Sequence, residues 1–108
     1  MLPKSNRLPS LEIRSVLRHG KRLTDKNIQI VFASSNAQVS RFAFVVSTKI
    51  DKRATRRNRI KRVMREAVRA LIPRMVGTFD VVVQARSGKE AEIKSGIEEL
   101  FRQAHLLA

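Results

Sequence analysis

The sequence predicts a single α+β domain over residues 1–108, in which helices pack against one mixed sheet of about four strands. Apolar residues recur at helical spacing in three segments and alternate at strand spacing in up to four others, in the order αβββαβα. Of the 108 residues 43% are hydrophobic, which is enough for one modest core. A strand–helix–strand unit from Phe42 to Ala85 can form a parallel crossover, which general rules make right-handed.

The N-terminal part of the chain is predicted to form an arm followed by a helix. Residues 1–9 contain two prolines and two basic residues, which favours a loosely held arm. The helix is predicted over Leu11–His19, with the Ser10 hydroxyl as its N-terminal cap. Gly20 is expected to end the helix, because glycine enters the left-handed conformation without strain.

Four segments have the pattern of strands. Lys21–Leu23 can form a short edge strand, and Asn27–Ala33 alternates in the way typical of a sheet. Arg41–Thr48 has no strongly polar face, so it is predicted to be a central strand covered on both sides. Phe79–Ala85, rich in valine, is predicted to be the last strand.

Two further helices are predicted, and the first of them carries most of the charge. Thr55 can cap its start, and Pro73 limits its far end. Its apolar residues fall in one arc of a helical wheel and its polar residues in the opposite arc; the two sets are Ile60, Val63, Met64, Ala67, Val68 and Leu71 against Asn58, Lys61, Arg62, Arg65 and Arg69. The last helix is predicted from Glu90 to Leu107, with several glutamates exposed.

The formal charge of +14 is concentrated in one block. Ten of the 23 basic residues lie between Lys49 and Arg69, where only Asp51 and Glu66 oppose them. A merely solvated helix would intersperse acids, since like charges one turn apart cost roughly 0.2–0.5 kcal/mol per pair. The block therefore predicts a polyanionic partner, with nucleic acid first and an anionic membrane surface second. Asn58 offers both a donor and an acceptor, so it can touch a base or sugar, or instead bond locally to the backbone.

Other features narrow the function. The chain has no cysteine, no paired carboxylates in an apolar setting and no glycine-rich phosphate loop, and His19 and His105 are far apart in sequence. The protein alone is therefore not expected to be a catalyst or to hold a metal, and no signal peptide or membrane span is evident, which favours the cytoplasm. Exposed apolar side chains on a sheet suit unpaired nucleotides better than duplex DNA. Phe32, Phe42 and Phe44 can be stacking platforms, although core packing is the stronger expectation for each.

The segment Lys52–Glu66 closely resembles the signature of the bacterial ribonuclease P protein component. Its hallmark is Arg57-Asn58-Arg59, followed by a Lys-Arg pair and then Arg-Glu. The resemblance extends over essentially the whole chain. It is supported by Ser47-Thr48-Lys49 after the third strand, by the strand from Asp80 to Arg86, and by Arg7-Leu8 before the first helix.

This resemblance implies a basic subunit of a ribonucleoprotein endonuclease. In that family the RNA catalyses hydrolysis of one phosphodiester in precursor tRNA, which releases the 5′ leader. The implied partners are the catalytic RNA and precursor tRNA, with the protein monomeric in the complex and no membrane involved. Magnesium ions would be held mainly by the RNA and substrate, and no organic cofactor is implied. The family fold also implies a left-handed crossover, against the general rule.

The resemblance also implies two sets of site residues. The surface meeting the catalytic RNA would comprise Lys52, Arg53, Arg56, Arg57, Asn58, Arg59, Lys61, Arg62, Arg65 and Arg69. The leader cleft would comprise Ile13, Leu17, Val31, Ser47, Lys49, Arg57, Asn58 and Arg86. Relatives often have aromatic residues at the positions of Ile13, Leu17 and Val31, so leader contacts here would be more apolar and less π-like.

Two alternatives compete with this interpretation. A ribosomal or other structural RNA-binding protein would need the same charge, but not this spacing of arginine, asparagine and lysine. A protein-only nuclease would need a carboxylate or histidine cluster, which the sequence lacks.

Overall fold

The computed structural model describes residues 2–108 and contains one mixed sheet. The strands are β1 (Lys21–Thr24), β2 (Ile28–Ser34), β3 (Arg41–Val45) and β4 (Phe79–Ala85). The helices are α1 (Ser10–His19), α2 (Ala54–Leu71) and α3 (Glu90–Gln103), with single 3₁₀ turns at Lys4–Asn6 and Ile72–Arg74. The predicted α+β class and the order αβββαβα are confirmed.

The sheet has the strand order β1-β2-β4-β3. β2 is antiparallel to both of its neighbours, whereas β3 and β4 are parallel. Helix α2 therefore forms the predicted crossover between adjacent strands, and the left-handedness that the resemblance implies stays a prediction. Val81, Val82 and Val83 of β4 are completely buried, as expected for an inner strand covered on both faces.

The prediction that the third strand is central is wrong, since β3 lies at the edge of the sheet. It also ends at Val45, before the predicted Thr48. Its outer edge is partly covered by the N-terminal arm: Arg7 pairs with Phe42 as an isolated parallel bridge, and the Leu8 N–H donates to the Phe42 carbonyl at 2.9 Å. This cover explains how an edge strand can lack a polar face.

The same contacts overturn the prediction of a loosely held arm for residues 2–9, while Met1 lies outside the described residues. Leu2, Asn6 and Leu8 are each less than 9% exposed. The Asn6 amide donates to the Ser40 carbonyl at 2.8 Å, which joins the arm to the start of β3. The arm is therefore packed against the sheet by both apolar and polar contacts.

The two faces of the sheet have different covers. Helices α2 and α3 pack on one face, where a large cluster includes Ile30 and Val83 from the sheet with Met64 and Phe101 from the helices. Helix α1 packs on part of the other face, over a smaller cluster of Leu8, Val16, Val31, Ala43 and Val82. Since side chains alternate along a strand, β2 contributes Ile30 to one cluster and Val31 to the other.

Arg41 fixes α1 to this smaller cluster. Its guanidinium binds Asp80 of β4 through two hydrogen bonds of 2.9 and 2.8 Å, and Glu12 of α1 lies 2.6 Å from its third nitrogen. The hydrogen bond to Asp80, followed by that to Glu12, raises the pKa of Arg41. One arginine thus joins two strands and a helix.

The helices begin and end close to the predicted residues, but the predicted capping interactions are not formed. Ser10 and Thr55 lie inside their helices, and the flanking residues Pro9 and Arg53 make no side-chain cap. Both predicted caps are therefore wrong. Helix α2 ends at Leu71, just before Pro73 as predicted, and the chain continues into a 3₁₀ turn that contains Pro73. Helix α3 stops at Gln103, four residues before the predicted Leu107.

Gly20 ends α1 for a different reason from the one predicted. Its φ is −74°, so it is extended and not left-handed. A Cβ atom at this position would lie 2.6 Å from the Val16 carbonyl oxygen and 2.9 Å from that of Phe32. Glycine is needed because the end of the helix approaches the backbone of β2 too closely for any side chain.

Candidate nucleic-acid interface

Helix α2 presents the two arcs that its sequence predicted. Ile60, Met64, Ala67, Val68 and Leu71 are buried against the sheet and α3, and Val63 is partly buried. The opposite arc, here called the cationic strip, consists of Asn58, Lys61, Arg62, Arg65 and Arg69. Asn58, Arg62 and Arg69 are exposed, while Lys61 and Arg65 are partly buried.

The loop before α2 orders its own charges. Asp51 accepts two hydrogen bonds from the Arg53 guanidinium, at 3.1 and 2.9 Å, and one from the Arg53 backbone N–H at 2.9 Å. These bonds lower the pKa of Asp51 to about 2 and raise the pKa of Arg53. Arg57 reaches back to the carbonyl oxygens of Asp51 and Lys52 at 3.1 and 2.8 Å. The first turn of α2 is thereby attached to the preceding loop.

Glu90, the first residue of α3, binds two arginines of α2. Arg56 donates to Glu90 at 2.6 Å and to the Gly88 carbonyl at 3.1 Å, and Arg59 donates to Glu90 at 3.3 Å. Together with the Asp51–Arg53 pair, these contacts give three of the nine basic residues predicted to meet RNA an acidic partner, although the two carboxylates can offset only two positive charges. Within residues 2–108 the others have no acidic partner; they are Lys52, Arg57, Lys61, Arg62, Arg65 and Arg69.

A second candidate surface is the part of the sheet that α1 leaves uncovered. It forms a shallow depression of about 380 Å³, here called the sheet cleft, lined by Thr24, Gln29, Val45, Ser47, Gln84, Ala85 and Arg86. Gln29 and Gln84 are cross-strand partners, and their side-chain amides are hydrogen-bonded to each other. Arg86 is exposed and donates to the Asp25 carbonyl at 3.3 Å.

The predicted leader residues are divided between three places. Ser47 and Arg86 meet in the sheet cleft. Lys49, Arg57 and Asn58 lie in the loop before α2 and in its first turns, and do not line this depression.

The remaining three leader residues belong to the cluster under α1. Ile13 and Leu17 are partly buried there. Val31 is 0% exposed, so the prediction that it lines the cleft is wrong: it packs beneath α1 and cannot touch a ligand directly.

Sequence reasoning missed the polar lining of the sheet cleft. Thr24, Gln29 and Gln84 were not predicted as site residues, although both glutamines interrupt apolar strands. Because side chains alternate along a strand, Gln29 and Gln84 lie on the same face of the sheet as Val31 and Val82, which is the face that α1 covers in part. Which part of that face stays uncovered depends on the length and position of α1, and the sequence does not show this.

The aromatic residues divide between core and surface. Phe42 is 2% exposed, and its ring stacks on that of Phe101 with centroids 6.4 Å apart. It is therefore a core residue, as expected. Phe32 and Phe44 are only partly buried and pack at the margin of the larger cluster.

Clusters of possible metal ligands were sought among residues 2–108. Among residues 2–108 no three histidine, aspartate or glutamate side chains are grouped so that they could hold a metal ion. Magnesium usually keeps several water ligands and is bound through one or two carboxylates together with substrate phosphates. The same residues contain no helix that is both long and apolar enough to cross a bilayer.

Comparisons with known proteins identify the family. Residues 2–105 match a family model described as ribonuclease P. The ribonuclease P protein component of Synechocystis sp. is 34% identical over 112 residues, covering 98% of this chain and 90% of that protein. The chain belongs to the ribonuclease P protein family. A second member, from Caldanaerobacter subterraneus, is 35% identical over 100 residues, which cover 88% of this chain and 84% of that protein.

Solved structures of the family share this fold. The RNase P protein of Thermotoga maritima is 27% identical and superposes with a TM-score of 0.75, covering 94% of this chain and 97% of that one. The Staphylococcus aureus protein is 20% identical with a TM-score of 0.84, covering 97% and 100%; at that identity the likeness shows the fold alone. The resemblance drawn from Arg57-Asn58-Arg59 and its flanking residues is confirmed, and with it the assignment to RNA binding in tRNA processing.

Proposed function

We propose that this protein binds the catalytic RNA of ribonuclease P through the cationic strip and helps that RNA to remove the 5′ leader from precursor tRNA. The observation that carries the proposal is the distribution of charge on α2. Asp51 and Glu90 bind arginines at the N-terminal end of the helix and beside it, whereas the centre of the strip keeps its charge free for a partner. Arginine and lysine in such an array match RNA phosphates.

The 5′ leader would lie in the sheet cleft. The paired amides of Gln29 and Gln84 can exchange their mutual hydrogen bond for bonds to base edges. Arg86 can bind a phosphate at one side, and Ser47 offers a hydroxyl nearby. The cleft has no aromatic lining, so recognition there would depend on hydrogen bonds and charge more than on stacking.

The wider setting follows from the same proposal. Magnesium ions are assigned to the RNA and the substrate, and the protein acts as a monomer within the complex in the cytoplasm. Its contribution is electrostatic and geometric: it screens repulsion between RNA strands and holds the leader near the cleavage site. In this proposal the catalytic groups belong to the RNA and not to the protein.

The central experiment mixes the protein with a precursor tRNA, with and without a bacterial ribonuclease P RNA, at low magnesium concentration. We expect cleavage at the mature 5′ end only when protein and catalytic RNA are both present. RNA binding without assisted cleavage would instead indicate a structural RNA-binding protein. Cleavage by the protein alone would indicate a protein-only nuclease.

The cationic strip is tested with a charge-matched pair of variants. Arg62→Ala removes an exposed charge from the strip, while Lys94→Ala removes one from the outer surface of α3. We expect Arg62→Ala to weaken binding of the catalytic RNA by roughly 5-fold or more, in line with one lost charge-assisted contact. Equal effects of the two changes would contradict the assignment.

The sheet cleft is tested by comparing precursor and mature tRNA in the assembled complex. Gln84→Ala should weaken binding of the precursor and leave binding of mature tRNA unchanged, since only the precursor has a leader. Glu92→Ala, at an exposed site on α3, serves as a control for general surface changes. A Gln84→Ala variant that weakens both RNAs equally would refute a leader-specific role.

A further inference from the structure

A second cavity lies on the other side of β3, where the N-terminal arm, β3 and α2 meet. It has a volume of about 400 Å³ and is here called the arm pocket. It is lined by Leu2, Arg7, Phe42, Ala43, Phe44, Lys61 and Arg65. Two of these residues belong to the cationic strip, but the arm and strand residues lie outside the predicted RNA surface.

Lys61 and Arg65 differ from the other partly buried basic residues. Five basic residues within 2–108 are partly buried, and Arg41, Arg56 and Arg57 each donate to a carboxylate or carbonyl oxygen. Lys61 and Arg65 have neither kind of partner in the described part of the chain, although burial removes part of their hydration. A charge that is partly desolvated and unpaired is unfavourable, so these two side chains favour an anionic ligand.

Their spacing strengthens this argument. Lys61 and Arg65 are four residues apart on α2, where like charges repel. Arg7 brings a third positive charge to the same cavity, and its side chain has no ion pair or hydrogen bond among the described residues. The arm is fixed beside β3 by the Leu8–Phe42 and Asn6–Ser40 hydrogen bonds, so the position of Arg7 at the pocket is built into the fold.

The remaining lining of the arm pocket is apolar. Phe44 is partly buried and borders the cavity, and Leu2, Phe42 and Ala43 complete its wall. An aromatic ring beside several cations is the combination that single-stranded nucleic acids use, with the base on the ring and the phosphates on the charges. A simple inorganic anion would leave the apolar wall unused, and an apolar ligand would leave the charges unused.

We propose that the arm pocket binds one unpaired RNA nucleotide, with its base against Phe44 and its flanking phosphates held by Arg7, Lys61 and Arg65. This inference rests on the proposed function, because it extends the RNA interface from α2 to β3 and the N-terminal arm. The shared chemistry is an unpaired nucleotide with its phosphates. Its source is the catalytic RNA or the precursor tRNA, and the test separates the two.

The first test measures affinity and its salt dependence for a ribonuclease P RNA transcript, and separately for precursor tRNA bound to the assembled complex. Arg7→Ala is compared with Lys94→Ala, which removes an equal charge elsewhere. We expect Arg7→Ala to raise the Kd about 5-fold or more and to make the log–log salt slope shallower by about 0.7 to 0.9, as for one lost phosphate contact. Phe44→Leu should raise the Kd at least about 5-fold without changing the slope, since base stacking carries no charge.

The RNA that responds identifies the source of the nucleotide. The proposal is overturned if Arg7→Ala behaves like Lys94→Ala, or if Phe44→Leu binds both RNAs like the original protein. Because Phe44 also touches the core, urea unfolding checks that this variant is folded at the assay temperature.

A second measurement does not depend on the stability of the leucine variant. A photoreactive benzoylphenylalanine placed at position 44 should crosslink to one nucleotide that is unpaired in the bound RNA. Crosslinks that fall only in base-paired segments, or none at all, would overturn the proposal. If these tests fail while the original protein still supports leader removal with the catalytic RNA, only the arm pocket is refuted; if it does not support leader removal, the proposed function itself fails.

Discussion

The affinity of this protein for the catalytic RNA should fall steeply as salt concentration rises. Nine basic residues were predicted to meet that RNA, and three of them are bound to Asp51 or Glu90. Six remain without an acidic partner within residues 2–108. Each phosphate contact releases about 0.7 to 0.9 counterions, so six contacts give a log–log slope of about −4 to −5. A fourfold rise in salt would then weaken binding roughly 250- to 1,000-fold.

The assay is the equilibrium binding of a labelled ribonuclease P RNA transcript over a series of monovalent salt concentrations at fixed magnesium. Two variants test whether a basic residue that already has an acidic partner in the structure contributes less to RNA binding than one without a partner. Arg62→Ala removes an exposed and unpaired charge, so it should make the slope shallower by about 0.7 to 0.9. Arg53→Ala removes a charge that Asp51 already neutralises, so its effect on the slope should be smaller.

The reasoning would be refuted by a slope near zero for the original protein. It would also be refuted by equal changes of slope in the two variants, because the charge partition seen in the structure would then not control binding. Thermal unfolding of both variants provides the control, since neither side chain contributes to the buried arc of α2.

Three further predictions concern the fold and its charges. Gly20→Ala should lower the free energy of unfolding by about 1–3 kcal/mol in urea, because its Cβ would lie 2.6 Å from a carbonyl oxygen, whereas Gly88→Ala, with 3.9 Å of clearance, should have little effect. Asn6→Ala should lower it by about 1–3 kcal/mol, since the carbonyl before β3 loses its buried donor; no change would contradict the fixed arm. Asp51 should titrate with a midpoint of about 2 by carboxyl-carbon NMR, so any stability from its bonds to Arg53 is present at neutral pH and lost as pH falls through that value; a midpoint near 3.8 would contradict the pairing.

The faces of the helices were predictable because burial follows a 3.6-residue period. The apolar residues of α2 from Ile60 to Leu71 point to one side whichever partner covers them, so one helical wheel identified the buried side of the helix correctly. The caps were not predictable in the same way. Ser10 and Thr55 both have the chemistry of a cap, but a shift of one or two residues in the start of the helix removes them from the capping position.

The order of the strands was harder to predict than the faces of the helices. A sequence pattern indicates that a strand is covered, but it does not show which part of the chain covers it. The apolar faces of β3 indicated cover on both sides, which was interpreted as a central position. The N-terminal arm provides part of that cover through Leu8, a contact between residues far apart in sequence. Val31 was placed in the leader cleft by the family resemblance alone, and in this chain it is completely buried in the cluster beneath α1.

The distribution of surface charge shows why the sequence pointed to one face of α2. The chain does not lack acids: six of its nine acidic residues pair with arginines, but none of these pairs involves the cationic strip. Glu12 and Asp80 bind Arg41 under α1, while Glu98 and Glu99 bind Arg102 at the far end of α3. Several of these pairs join separate elements of the fold, whereas the four basic residues of the cationic strip have no acidic partner within residues 2–108. A row of four basic residues without acidic partners along one face of one helix is therefore the surface that we propose for binding RNA phosphates.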